Sequence, residues 1–292
     1  GIEAGDRTLK YIYKKIDKLL NDQEYVARLF SDNFVILLKE QDNQKIATRL
    51  QNIAFKINSF NINSEYKYYL TFVCGVYHIV DTKLPITTIE DRANTALKSV
   101  DSMHSDFCRC NFYTDEIRFK LLQEKEIENI MRDSLKKKEF QIYLQPKYSL
   151  KLNKIYGAEA LIRWIHPIRG LLSPAEFIPL FERNGFIIDI DLYVFEEVCI
   201  LIRKWLDEGK DVHPISVNMS RAHFVNNDFF KDYIRIKNKY GISSKYIEIE
   251  LTETMVFEDP EMFSKIIEKI HQAGFKCSMD DFGSGYSSLN LL

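Results

Sequence analysis

From Glu139 onward the sequence repeats one pattern, a short strand-like run followed by a longer helical stretch. The strand-like runs are FQIYLQP, IYGAEALIRW, HPISVNMS, YIEIELTE and FKCSMDDF. Helical stretches separate several of them, including residues 174–184, 191–208 and 260–273. Repeated strand–helix units predict parallel strands joined by right-handed crossovers. In a chain of 292 residues, the pattern favours an α/β fold with a (β/α) TIM-type barrel.

Polar side chains occupy one face of these strands near their carboxyl ends. Alternate residues of a strand point to opposite sides, so Glu248 and Glu250 share a face opposite Ile247, Ile249 and Leu251. The same alternation applies to the other runs, and the candidate residues are Glu159, Asn218, Glu250, Asp280 and the adjacent Asp281. Because the carboxyl ends of barrel strands meet at one mouth, we expect these oxygen-bearing groups to gather there.

A cluster of four carboxylates and one amide has a specific chemical meaning. Carboxylates at close range repel one another unless cations neutralise them, and oxygen ligands select Mg²⁺ or Mn²⁺ over Zn²⁺. Two such ions are the usual machinery for displacement at phosphorus. Taken singly, each acid is more often a surface or salt-bridged group, but four acids and one amide at matching strand ends favour the metal interpretation. Arg163 would either clamp a phosphate or pair with one of the acids.

Charge, hydropathy and cysteine content exclude several other classes. With 40 Lys+Arg against 42 Asp+Glu, the chain lacks the basic field that binds a DNA or RNA polymer. It has neither an 18-residue apolar run nor a signal peptide, which indicates a cytoplasmic segment whose parent protein could be anchored upstream. The five cysteines form no C-x-x-C pair, which argues against a disulfide framework and a structural zinc site.

The first part of the chain has a different order of elements. A helix, a hairpin, a helix, a strand, a helix and a strand follow one another, which is typical of a compact α+β domain. We therefore predict an α+β domain over residues 1–114, a charged linking helix over 115–138 and the barrel domain over 139–292.

The second part resembles the EAL domain family of c-di-GMP phosphodiesterases. The resemblance rests on LQPKYSL, the literal Glu159-Ala160-Leu161 followed by IRWIHP, then SPAEFIPLFERNG, SVNMS, ELTET and DDFGSGYSSL. It implies hydrolysis of one phosphodiester of c-di-GMP to linear pGpG, with Mg²⁺ or Mn²⁺ as cofactor. The residues that it implies are metal ligands Glu159, Asn218, Glu250, Asp280 and Asp281, catalytic residues Glu159, Asp281 and Glu253, and substrate contacts Gln145, Leu161 and Arg163.

The family's barrel has eight strands, whereas about five can be counted here before Leu292. A lysine, a glutamate and a glutamine of the later family pattern have no counterpart in the sequence. We therefore expect a fragment or a truncated product that is inactive or at best impaired. Some members of the family bind c-di-GMP without cutting it, and a receptor is therefore the alternative function. A scaffold acting only through protein contacts would predict decay of the acidic cluster, which the sequence does not show.

The first part resembles the later portion of a GGDEF domain, through GIEAGDRTL and RLFSDNFVILL. The family's active turn would correspond to Phe30-Ser31-Asp32-Asn33-Phe34, where Phe30 and Ser31 replace two glycines and Asn33 replaces the acid. Asn21 and Glu24 stand where the family's inhibitory site has Arg and Asp. We therefore expect a non-catalytic regulatory or dimerising domain, with an inert structural remnant as the alternative. The expected partners are c-di-GMP, a second copy of the chain and an upstream sensor domain.

Overall fold

A computed structural model describes residues 2–59, 69–100, 107–151, 153–225, 228–252 and 260–280. The chain divides into two units, Gly1–Lys125 and Glu126–Leu292. Among the helices in the described ranges, none has the length and apolar character needed to cross a membrane.

The first unit has the predicted order of elements. Its bounds are α1 Ile2–Asp17, β1 Tyr25–Arg28, β2 Phe34–Leu37, α2 Asn43–Asn58, β3 Phe72–Val76, α3 Ile86–Lys98, β4 Cys108–Phe112 and the start of α4 Asp115–Lys136. Strands β1 and β2 form an antiparallel hairpin, and β3 pairs with β4 in parallel. Ile12 and Ile16 of α1 pack with Ile53 and Ile57 of α2, because both helices repeat apolar residues at helical spacing.

Helix α4 corresponds to the charged run that predicts a linking helix. The boundary between the two units falls within it, at Lys125 and Glu126. In its second half, Ile127 and Met131 are buried and belong to the main hydrophobic core of the second unit. This half is therefore held by packing as well as by its own helical hydrogen bonds.

The second unit is a mixed sheet with helices. Its bounds are β5 Phe140–Ser149, β6 Lys154–His166, β7 Gly170–Leu172, α5 Pro174–Asn184, α6 Ile187–Asp207, β8 Ile215–Asn218, α7 Phe230–Lys239, β9 Ile247–Thr252, α8 Pro260–Gln272 and β10 Lys276–Asp280. The strand order is β10-β9-β8-β6-β5, and β7 pairs with β6. Strands β6, β8, β9 and β10 are parallel, as expected from the long connections between them.

The expectation of parallel strands throughout is wrong for β5. It runs antiparallel to β6, because the few residues between Ser149 and Lys154 cannot form the crossover that parallel neighbours need. Short β7 is also antiparallel to β6. Over the described residues the sheet is open, with β5 and β10 as its edge strands.

The core of the second unit is rich in aromatic side chains. On β6, Ala160 and Trp164 are buried, whereas Glu159, Leu161 and Arg163 on the opposite face are half-buried. Trp164 packs edge-on against Phe177 of α5, with 5.7 Å between ring centroids. One apolar position departs from the expected pattern, since Met279 of β10 is 40% exposed. Helices therefore cover the face of β6 that carries Ala160 and Trp164. The opposite face, with Glu159, Leu161 and Arg163, remains available for other contacts.

Candidate metal centre

Three acidic side chains from separate strands meet in the second unit. Ligand oxygens of Glu159 on β6, Glu250 on β9 and Asp280 on β10 all lie within 4.8 Å of one another. Glu250 is buried and the other two are half-buried. An acidic group of this size can hold a divalent cation, and without one its charges repel.

The register of the sheet explains why these residues meet. The Cα partners are Glu159 with Ser216, Asn218 with Glu250, and Thr252 with Asp280. The steps from Glu159 to Asn218 and from Glu250 to Asp280 each move two residues toward the carboxyl end, and the step from Asn218 to Glu250 moves none. Because every shift is an even number of residues, the polar side chains stay on one face of the sheet. Gly157 permits the close approach of β6 and β8, because a Cβ atom there would lie 2.8 Å from the carbonyl oxygen of Pro214.

Asn218 lies beside the three acids. Its Nδ2 donates a hydrogen bond of 3.1 Å to Oε1 of Glu159, and its side chain is exposed at the end of β8. The amide thus orients one carboxylate, and its own oxygen is a neutral ligand of the type that hard cations accept. The structure brings four of the five sequence-predicted ligands together, whereas Asp281 lies outside the described residues.

The pKa of Glu159 reflects this crowding. Burial raises the pKa of its carboxyl group, and the negative charges of Glu250 and Asp280 raise it further. The hydrogen bond from Asn218 opposes both effects but does not cancel them. A bound cation would favour the charged form, so cation binding at this cluster is coupled to loss of a proton.

The two oxygens of Glu250 have different surroundings. Oε1 accepts a hydrogen bond from Nζ of Lys147, which forms an ion pair with it. Oε2 is buried and has no hydrogen-bond partner within the described part of the chain. Because a buried unpaired carboxylate oxygen is costly, Oε2 is the observation that best fits a cation at this position. Carboxylate and amide oxygens suit Mg²⁺ or Mn²⁺.

Sequence reasoning assigned Lys147 no role, although the residue lies within the LQPKYSL run. A signal was present, because Lys147 and Gln145 share a face of β5 by alternation. Gln145 is the Cα partner of Glu159, so that face continues the face of the acidic cluster.

The predicted substrate contacts lie on this same face. Gln145 is exposed, and Leu161 and Arg163 follow Glu159 on β6 at alternate positions. The guanidinium carbon of Arg163 lies 6.0 Å from the ring centroid of Tyr143, which is 47% exposed. A cation and an exposed ring therefore lie on the same face of the sheet as the acids, farther along β6, and such groups suit recognition of a nucleotide. Glu253 and residues 281–289, the part of the DDFGSGYSSL run after Asp280, lie outside the described residues.

A buried polar network supports the segment after Asn218, and the sequence analysis missed it. Asp191 of α6 accepts a 2.8 Å hydrogen bond from the backbone N–H of Ser220 and lies 3.1 Å from Nε2 of His223. The hydroxyl of Tyr233 lies 3.1 Å from the same nitrogen. Burial raises the pKa of Asp191, while hydrogen bonding to His223 opposes the rise. Asp191 and His223 are 32 residues apart in the sequence, and His223 and Tyr233 are 10 apart, so strand alternation does not predict these contacts.

In the first unit, the turn expected at the GGDEF position joins β1 to β2. The N–H of Asn33 donates to the carbonyl of Phe30 over 2.9 Å, and Ser31 adopts a left-handed backbone with φ 49°. Glycine adopts that conformation at lower cost, so Ser31 stands where the backbone favours glycine. Phe30 is 67% exposed, and Asp32 and Phe34 complete the turn.

Comparison with known proteins gives two domain families. Residues 128–292 match the EAL domain, and residues 1–105 match the diguanylate cyclase, GGDEF domain. The whole chain is 28% identical to the signaling protein YkoW of Bacillus subtilis, covering 36% of that protein. It is also 26% identical over its whole length to the bifunctional diguanylate cyclase/cyclic di-GMP phosphodiesterase MucR of Pseudomonas aeruginosa, covering 42% of that protein. The chain thus spans less than half the length of these relatives.

Two solved structures that are similar to this chain contain c-di-GMP. The PaMucR phosphodiesterase in its c-di-GMP complex is 32% identical with a TM-score of 0.53, over 56% of this chain and 67% of that chain. The Vibrio cholerae LapD structure of an S helix, GGDEF and EAL domain, bound to c-di-GMP, matches 99% of this chain and 68% of that chain. Its identity of 15% and TM-score of 0.52 show a common fold alone.

Proposed function

The chain belongs to the EAL domain family, and we propose that its second unit hydrolyses one phosphodiester of c-di-GMP to linear pGpG at a divalent-metal centre. The observation that carries the proposal is the meeting of Glu159, Glu250 and Asp280 oxygens within 4.8 Å. Relatives of the family include the cyclic di-GMP phosphodiesterase NbdA of Pseudomonas aeruginosa, which is 25% identical over the whole chain and 37% covered by it.

In this proposal the acids and Asn218 hold the cations, which are Mg²⁺ or Mn²⁺. When bound, the cations supply the positive charge that hydrolysis of a phosphodiester requires. Water adds across one P–O bond, so that one guanosine keeps the phosphate and the other regains a hydroxyl group. Asn218 orients Glu159 through its 3.1 Å hydrogen bond. By resemblance, Asp281 serves a second cation and Glu253 supports the loop that follows.

Substrate recognition is assigned to the face shared by β5 and β6. Gln145 and Arg163 supply hydrogen-bond donors, and Arg163 presents a planar cation suited to a phosphate or a base. Leu161 lies between Glu159 and Arg163 on the same face and offers an apolar contact. These residues would place one phosphodiester of the ring beside the acids.

A direct test incubates the protein with c-di-GMP and Mg²⁺ or Mn²⁺ and follows pGpG by chromatography. We expect pGpG from the native protein and none from Glu159→Gln, because the substitution removes a ligand charge. Glu182→Gln is the control, since Glu182 is an exposed acid of α5 outside the cluster. Tight binding of c-di-GMP without any product would favour the receptor function instead. Full turnover by Glu159→Gln would contradict the metal centre.

We also propose that the first unit makes no c-di-GMP and acts as a regulatory domain. Phe30 and Ser31 occupy the turn where the resemblance expects glycines, and Asn33 lacks the charge of an acid. Incubation with GTP and Mg²⁺ should therefore yield no c-di-GMP. Synthesis of c-di-GMP would show that the turn remains competent.

A further inference from the structure

Lys147 reaches the acidic cluster from the far edge of the sheet. Strands β6 and β8 lie between its strand, β5, and the strand of Glu250, β9. Along a flat sheet three strand spacings amount to about 14 Å, more than a lysine side chain spans. The ion pair therefore depends on curvature of the sheet, which turns the polar face of β5 toward β9.

The pair is enclosed rather than superficial. The side chain of Lys147 is 22% exposed and that of Glu250 is 7% exposed. The ammonium of Lys147 thus lies against Glu250 in the ion pair, and the charge of Glu248 also acts on it. The acidic cluster beside this ammonium carries three carboxylates.

The two oxygens of Glu250 are therefore available to different cations. Lys147 binds Oε1 and leaves the buried Oε2 for another cation. We propose that Lys147 acts as a counter-cation of the metal centre. Its ammonium holds Glu250 in place before metal binds, and its positive charge lowers the affinity of the centre for that metal. This inference rests on the proposed metal centre, and it identifies a positioning residue whose charge sets how tightly the centre binds metal.

Two substitutions separate the charge of Lys147 from its bulk. Lys147→Met keeps nearly the same length without charge, and Lys147→Arg keeps the charge. Lys154→Gln is the control, since Lys154 is an exposed lysine on the neighbouring strand β6. Binding of Mn²⁺ is measured by isothermal titration calorimetry without any nucleotide.

Removal of a positive charge beside the metal should strengthen binding about tenfold in Lys147→Met. Lys147→Arg and Lys154→Gln should stay within about twofold of the native protein. Equal or weaker binding by Lys147→Met, with the native protein binding normally, would overturn the role of Lys147. A native protein that binds no Mn²⁺ would overturn the metal centre itself, together with the affinity claim.

A second measurement tests the pair without metal. In chelator, Lys147→Met should lower the unfolding midpoint by about 5–10 °C, because it leaves a buried carboxylate unpaired. Adding Glu250→Gln to that variant should restore much of the loss, because the unpaired charge is gone. Additive losses in the double variant would show that Lys147 does not act through Glu250. This result is independent of whether the protein binds metal or cleaves c-di-GMP.

Discussion

Asp280→Asn should make the metal-free protein more stable while abolishing its response to metal. Asp280 lies within 4.8 Å of both Glu159 and Glu250 at the ligand oxygens. Two unit charges at 4.8 Å repel by about 3.5 kcal/mol at an effective dielectric constant of about 20. Water at the half-buried Asp280 and the ammonium of Lys147 screen this repulsion, so we expect a gain of about 1–2 kcal/mol.

The assay is urea unfolding followed by tryptophan fluorescence, in chelator and in Mn²⁺. Both tryptophans, Trp164 and Trp205, belong to Glu126–Leu292, so the signal reports on the second unit. At a hundredfold excess over its dissociation constant, Mn²⁺ should stabilise the native protein by about 2.7 kcal/mol. Asp280→Asn should gain little from Mn²⁺, whereas Glu182→Gln, at an exposed acid outside the cluster, should behave as the native protein. A destabilised Asp280→Asn in chelator, or a native-like gain from Mn²⁺, would refute the reasoning.

Two further predictions concern acids whose carboxylates accept buried hydrogen bonds. Hydrogen bonding from Arg49 lowers the pKa of Glu24 from 4.5 to about 2, and the side chain of Glu24 is 1% exposed. Arg49 and the backbone N–H groups of Asn21 and Lys39 together bind this carboxylate, so these contacts contribute about 3 kcal/mol above pH 4.5. This stability is lost as the pH falls through about 2. Hydrogen exchange in the first unit should show the loss, and Glu24→Gln should lack it. Asp191→Ala should cost about 3–5 kcal/mol in urea unfolding, because it leaves His223 and the Ser220 N–H buried without their acceptor; native-like stability would contradict the network.

Much of the fold follows from local patterns. The hairpin of the first unit and the parallel strands of the second were both predictable from turn residues and from the length of the connections. The family resemblance and the α/β fold class with a smaller domain ahead of it are confirmed. Alternation also placed Glu159, Glu250 and Asp280 on one face, and the structure brings them together. Their roles as ligands stay a prediction.

The contacts that sequence reasoning missed depend on the shape of the whole sheet. Lys147 meets Glu250 across 103 residues of chain, through a curvature that no local pattern encodes. Asp191 meets His223 because α6 packs near the turn after β8, and a buried Asp in a helix resembles any surface acid in the sequence alone. The antiparallel pairing of β5 was predictable from its short connection, but the repeated strand–helix pattern concealed it.

The most direct test of the metal centre is an anomalous difference map from crystals grown with Mn²⁺. We predict a peak shared by oxygens of Glu159, Glu250 and Asp280, with Asn218 beside it and Lys147 still on Oε1 of Glu250. Bond lengths should lie at about 2.0–2.2 Å, as hard cations require. A protein that cleaves c-di-GMP while its map shows no shared peak, or diverging carboxylates, would contradict the central claim.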